Sequence, residues 1–204
     1  MEDYQDSVAR FDWSDVDKMI LDLAYKIKKA DFAPEAIVAI SRGGCIPAVY
    51  LSHLLSVREM WTVNVRTTLN DNVRAPRQIP KVIDDKSLYK IAEKRILLVD
   101  DVTNSGQTMD VALKTVQRFQ PAAIRTAVLV WDTVPESKRE RVCKFRIDFF
   151  SKRVPSWAFF PWEREANIIQ EQQCLTTASA FRAPAESFGK VETEFKAQGR
   201  DMLK

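Results

Sequence analysis

Arg95-Ile-Leu-Leu-Val-Asp100-Asp101-Val-Thr103-Asn104-Ser105-Gly106-Gln107-Thr108-Met109 is the stretch whose reading decides the fold. Ile96 to Val99 is a short, continuous apolar run, the pattern of a strand buried on both faces of a parallel sheet. It ends in two carboxylates, at the carboxyl end of the strand, where open α/β sheets place ligands. The residues that follow are small, polar or glycine. They lead into a helix predicted through Val111 to Phe119, whose first turn carries unpaired N–H groups suited to a phosphate. Thr103, Ser105 and Thr108 add hydroxyl donors, and Gly106 lets the backbone approach an anion closely. A carboxylate pair beside such a cradle suits a phosphorylated sugar, because the carboxylates can accept from vicinal hydroxyls or approach a magnesium shell. Taken alone, the segment also fits a solvated acidic turn with a helix cap.

Upstream, the same layout occurs again. Ala36 to Ile40 is a short β-branched run that stops at Ser41-Arg42-Gly43-Gly44, and Pro47 opens a helical segment through about Leu55. Arg42 offers charge-assisted hydrogen bonds, and adjacent glycines permit a backbone path that presents N–H groups to an anion such as pyrophosphate. By itself this is equally a tight turn before a helix. Downstream, Ile124 to Trp131 supplies the next strand. Two strand-loop-helix-strand units predict an α/β fold with a mostly parallel sheet flanked by helices.

Around these units, Ser14 and Asp17 form a capping box ahead of a helical face of Val16, Met19, Ile20, Leu23 and Ile27. Trp61 to Arg66 reads as a strand. Residues 67–85 are polar, carry Pro76 and Pro80 and keep no periodicity, which predicts a mobile lid. Phe145 to Phe150 and Trp157 to Phe160 are short strand-like runs. From Arg164 onward the chain is a more polar, partly helical tail.

The chain has 204 residues, enough for one domain with a full core and a modest appendage. Its 31 basic and 28 acidic residues are mixed along the chain, leaving no nucleic-acid footprint or membrane patch. Three cysteines without C-x-x-C spacing argue against a disulfide framework and a zinc site. No apolar run approaches the ~18 residues that span a bilayer, and the polar start of the chain has no signal region, so a cytoplasmic location is expected. His53, the only histidine, follows an apolar helix and reads as a structural residue.

The run Val-Asp-Asp-Val-x-x-Ser-Gly-x-Thr resembles the signature for phosphoribosyl pyrophosphate (PRPP) in type I phosphoribosyltransferases. Ser-Arg-Gly-Gly resembles the pyrophosphate loop of their xanthine-guanine branch, and Phe160-Pro161-Trp162-Glu163 that branch's closing motif. The resemblance runs from about Trp13 to Glu163. It implies a phosphoribosyltransferase domain over residues 1–163, with a flexible catalytic loop at 67–85 and a small hood subdomain, followed by a tail over 164–204. By that resemblance Asp100 and Asp101 hold the ribose hydroxyls, Thr103, Ser105, Gly106, Gln107 and Thr108 the 5′-phosphate, and Ser41, Arg42, Gly43 and Gly44 the pyrophosphate. Trp157 stacks on the base and Ala158 gives backbone contacts, although on pattern alone Trp157 is a core aromatic. Asp101 and Glu163 lie near magnesium bound largely through PRPP or pyrophosphate. A homodimer is implied, with PRPP and a nucleobase as ligands.

Two positions depart from the branch. Asn104 stands where a proton-accepting aspartate is usual, and a neutral amide cannot act as a carboxylate base. Asp132 follows Trp131 where a lysine usually reads a 6-oxo group. An acceptor there favours an amino group on the base. The departures leave a PRPP-binding regulator as the alternative to an enzyme. A P-loop hydrolase is excluded by the missing G-x-x-x-x-G-K-[ST], and the common aspartyl-phosphate type by the lack of alternating acidic spacing after Asp100.

Overall fold

A computed structural model of the chain describes residues 8–68, 77–132 and 147–163. Residues 164–204, and with them the predicted tail, lie outside the described residues.

The central sheet has six strands. They are β2 (Ala36–Ser41), β3 (Glu59–Thr68), β4 (Arg77–Asp84), β5 (Arg95–Thr103), β6 (Ala123–Asp132) and β7 (Phe149–Val154), in the order β4-β3-β2-β5-β6-β7. All neighbours are parallel except β3 and β4. The predicted α/β class and mostly parallel sheet are thus observed.

Helices α1 (Trp13–Lys29), α2 (Cys45–Leu54) and α3 (Gln107–Gln117) cover the sheet. Successive strand side chains point to opposite faces, and the core divides accordingly. Ile37, Ala39, Leu97 and Val99 pack with Met19, Ile20 and Leu23 of α1 and Leu51 of α2. Val38, Ile40, Ile96 and Leu98 pack with Met109, Ala112 and Val116 of α3, and with Leu88 and Ile91 of a 3-10 turn, Lys86–Ile91. Strands buried on both faces are why β2 and β5 read as unbroken apolar runs.

From β2 the chain crosses through α2 to β3 on one side; from β5 it crosses through α3 to β6 on the other. The strand order therefore reverses between β2 and β5. The crevice at such a switch point, outside the carboxyl ends, is where open sheets bind ligands. Pairing of β2 with β5 runs only to Ala39 and Val99, whereas β5 continues along β6 to Thr103 opposite Trp131. The acidic pair lies in that extension.

Several expectations are corrected. The cap of α1 is Asp12: its carboxylate accepts from the Asp15 N–H at 2.8 Å, and that of Asp15 accepts from the Asp12 N–H at 3.3 Å. Ser14 lies inside the first turn, two residues past the observed cap, so the box expected at Ser14 and Asp17 is formed by Asp12 and Asp15 instead. Helix α2 begins at Cys45, and Pro47 occupies its first turn, where a missing N–H costs no helical bond. The irregular lid over 67–85 is in part regular, because Arg77–Asp84 is a strand antiparallel to β3. Its alternation is obscured by register shifts in the pairing, and Pro80 is tolerated because β4 is an edge strand. Residues 69–76 lie outside the described residues.

A second sheet pairs β1 (Val8–Arg10) in parallel with β8 (Trp157–Phe159), Val8 opposite Trp157. Phe11 continues this contact through its N–H to the Phe159 carbonyl at 2.9 Å. Aromatic rings lock the pairing: Phe160 stacks on Trp162 at 4.6 Å, Phe11 meets Phe160 at 5.5 Å and Trp13 meets Trp162 at 5.8 Å. No described helix is long and apolar enough to cross a membrane.

Candidate functional site

Asp100 and Asp101 are only 7% and 8% exposed. The Asp100 carboxylate accepts from the Asp101 N–H at 3.0 Å, and that of Asp101 from the Val102 N–H at 2.7 Å. Burial raises the pKa of both, and for Asp100 the neighbouring Asp101 charge raises it further. The same pair raises the pKa of the half-buried Cys45 thiol, which burial already pushes up. Two buried carboxylates that resist ionisation form a place where a cation or a set of hydroxyl donors relieves the charge.

The loop Ser41 to Gly44 closes on this pair. The Ser41–Arg42 peptide is cis. A Cβ on Gly43 would lie 1.9 Å from Oδ2 of Asp101, and one on Gly44 would lie 2.5 Å from the Val99 carbonyl oxygen and 2.7 Å from that of Ile40. At Gly44 backbone atoms exclude a side chain, at Gly43 the Asp101 carboxylate occupies the place of one, and the two glycines let the β2 loop touch the end of β5. Arg42 is exposed at the rim of the loop.

Beyond Asp101, Thr103 is 6% exposed and ends the strand. Gly106 caps α3 with φ 78°, a left-handed conformation in which L side chains are strained. No side chain caps the helix, so its first N–H groups are oriented toward whatever occupies the loop. Ser105, Gln107 and Thr108 are half-buried around it. Asn104, in the same loop, donates from Nδ2 to Oδ2 of Asp132 at 2.5 Å, and Asp132 is 2% exposed at the end of β6.

Glu163 approaches from the closing motif. The residue as a whole is exposed, but its Oε2 accepts from the Phe160 N–H at 2.8 Å, and partial burial of the carboxyl group raises its pKa to about 7, with the Asp101 charge adding to the rise. The indole N–H of Trp162 is buried and meets no partner in hydrogen-bond geometry, yet it lies close enough to Asp101 to favour that carboxylate. Trp157 is half-buried and Ala158 buried on β8, which packs against β6.

The folded chain thus brings together Ser41 to Gly44 with Asp100 and Asp101, Glu163 with Asp101, and Asn104 with Asp132. The sequence placed Trp162 in the closing motif without a role beside Asp101, and it did not reveal the β1 strand; the aromatics Phe11 and Trp13 near the start of the chain were the available signal. A shallow pocket of about 340 Å³, lined in part by Gln117, Pro121 and Thr126, lies at the amino end of β6, at the far end of that strand from Asp132. His53 is exposed in the last turn of α2 and takes no part in the site.

Glu163 carries a pH prediction. A carboxyl whose folded pKa is raised contributes stability that is complete below its unfolded value of 4.5 and is lost as pH rises through about 7. Glu163→Gln keeps an acceptor for the Phe160 N–H and cannot ionise. Thermal unfolding of the variant should fall less steeply than wild type between pH 5 and 8. Identical slopes would mean that Glu163 ionises without penalty.

Two loops, one at each carboxyl end of the strands flanking a topological switch, meet across a buried acidic pair. A family model described as "Phosphoribosyl transferase domain" matches residues 12–167, and the chain belongs to that family. It is a phosphoribosyltransferase. Among its relatives, the xanthine-guanine phosphoribosyltransferase of Cereibacter sphaeroides is 28% identical over 136 residues, covering 66% of this chain and 72% of the relative. The purine phosphoribosyltransferase of Pyrococcus horikoshii OT3 superposes with a TM-score of 0.60 at 28% identity, over 78% of this chain and 95% of that one. A Neisseria gonorrhoeae protein of unassigned function with bound ppGpp superposes with a TM-score of 0.66 at 25% identity, over 85% and 97%.

Proposed function

We propose that this phosphoribosyltransferase moves the 5-phosphoribosyl group of PRPP to a nitrogen of a purine or purine analogue, releasing pyrophosphate and forming a nucleoside 5′-monophosphate. The observation that supports the reading is the close approach of the Gly43–Gly44 loop to Asp101, which brings the loops proposed here as anion cradles to carboxylates suited to vicinal hydroxyls. The xanthine-guanine and purine relatives support a purine acceptor. The ppGpp in the gonococcal structure supports a phosphate-rich ligand in this fold.

In this reading Thr103 to Thr108 hold the 5′-phosphate, Asp100 and Asp101 orient the ribose, and Ser41 to Gly44 receive the pyrophosphate. Holding both ends of PRPP fixes C1 against the incoming base, so the chain acts by positioning and by stabilising positive charge developing on the ribose ring. No side-chain nucleophile is needed. Trp157 offers a platform for the base and Ala158 its backbone, while Asp132 favours an amino group at the base edge. The segment around 67–85 excludes water.

The residues fit a magnesium ion held mainly by ligand oxygens and water. Among the described residues no group of three or more acidic, histidine or cysteine side chains is arranged to hold a metal, so Asp101 and Glu163 would supply a partial shell. Magnesium, when bound, neutralises charge on the leaving pyrophosphate. The homodimer and a cytoplasmic setting complete the proposal.

One observation favours a second reading, a PRPP-binding regulator: Asn104 is neutral and already engaged with Asp132. A single experiment separates the two. PRPP and magnesium are incubated with a panel of oxo- and aminopurines, pyrimidines and 7-deazapurines, and pyrophosphate release is followed. Base-dependent release with an aminopurine supports the proposal. Tight PRPP binding without release against any base would replace it with the regulator.

A further inference from the structure

We propose that Asp132 is a positioning residue that acts through Asn104, tying the phosphate loop to the end of β6 by one carboxylate-to-amide hydrogen bond. The inference rests on the reading of Thr103 to Thr108 as the phosphate loop.

The loop needs an anchor beyond its own chain. Its glycine is left-handed and no side chain caps α3, so the helix end of the loop is not tied down by a side-chain cap. Asn104 reaches across to a different strand, 28 residues away in sequence, and its donor meets a carboxylate 2% exposed. A hydrogen bond between partners shielded from water is electrostatically stronger than one at the surface. Strand β6 is a rigid base for it, with Val128 and Val130 fully buried and paired to Asp100 and Val102.

The polarity of the pair is fixed by chemistry. A carboxylate oxygen accepts, so the Asn104 amide turns its NH2 toward Oδ2 of Asp132, which leaves its carbonyl oxygen directed elsewhere in the loop. A carboxylate at position 104 would face Asp132 at hydrogen-bond distance, where two negative charges oppose each other. The acidic member of the pair therefore stands on β6, and a second carboxylate is not accommodated in the loop unless the one on the strand is removed.

The test uses Asn104→Asp, Asp132→Asn and the double exchange N104D/D132N, which restores one donor facing one carboxylate with the polarity reversed. PRPP affinity is measured by calorimetry and stability by chemical unfolding, in the full chain. Each single variant is expected to weaken PRPP binding about tenfold or more, Asn104→Asp the more strongly, and the exchange to recover to within about threefold of wild type. A residue with a merely space-filling role would not show recovery. An exchange variant as weak as Asn104→Asp, or single variants that bind like wild type, would overturn the proposal. Should wild type itself fail to bind PRPP, the phosphate-loop reading falls, while the unfolding cycle still decides the pair. Additive stability changes in that cycle would show that Asn104 and Asp132 are not coupled.

Discussion

Replacing Asp100 and Asp101 together with Asn is expected to abolish PRPP-dependent pyrophosphate release while leaving the protein folded and more resistant to unfolding at pH 8. Asn keeps the shape of Asp and an oxygen to accept from the Asp101 and Val102 N–H groups. It lacks the charge that would make strong hydrogen bonds to ribose hydroxyls. Two charge-assisted hydrogen bonds at about 1.5–3 kcal/mol each correspond to a loss of at least about a hundredfold. Stability should move the other way. Burial raises both pKa values in the folded chain, so each carboxylate opposes folding once pH exceeds its unfolded value, and that opposition grows as pH rises through the folded value. The variant should therefore gain on wild type at pH 8 and converge with it at pH 4. Pyrophosphate release and thermal unfolding at both pH values check this, and an active double variant would remove the acidic pair from the proposed site.

The neighbouring glycines should separate activity from stability. At Gly43 the three atoms nearest an added methyl all belong to the Asp101 side chain, with Oδ2 at 1.9 Å and Cγ at 2.4 Å. Rotation of Asp101 can relieve the clash, so Gly43→Ala should stay folded and lose about a hundredfold in kcat/KM, the effect of displacing a group by an ångström. At Gly44 the obstacles are the carbonyl oxygens of Val99 and Ile40 and the Cα of Asp100, at 2.9 Å or less, and these cannot rotate away. Gly44→Ala should cost about 1–3 kcal/mol of stability, as overpacking does. Denaturant unfolding beside steady-state kinetics distinguishes the two. Equal unfolding losses for both variants would contradict the assignment of the Gly43 contact to a side chain.

What could be read in advance follows from how local each signal is. Strands β2, β5 and β6 were legible because burial on both faces leaves an unbroken apolar run. The acidic pair and Gly106 were legible because their meaning lies within a few residues of chain. Strand β1 was not, since Val8–Arg10 becomes a strand only through β8, about 150 residues later. Strand β4 was hidden by Pro80 and by the register shifts against β3. Asn104 and Asp132 were each singled out as departures, but their hydrogen bond depends on the parallel pairing of β5 with β6, which spacing alone does not reveal. Trp162 and Phe160 acquire their role from Phe11 and Trp13, again across the length of the domain.

The reversal of strand order between β2 and β5 also divides the mechanical foundations of the site. Helix α2, which follows the Gly43–Gly44 loop, rests on the layer that includes α1; helix α3, which follows Gly106, rests on the opposite layer. Under the proposed reading, the two charged ends of one small molecule are gripped by jaws mounted on separate halves of the core, with the sheet as their common hinge plate. A void opened beside Leu51 would slacken the pyrophosphate jaw, and one beside Val116 the 5′-phosphate jaw. Evolution could thus tune release of the leaving group and grip on the sugar phosphate through different sets of buried residues, far from the ligand and almost independently.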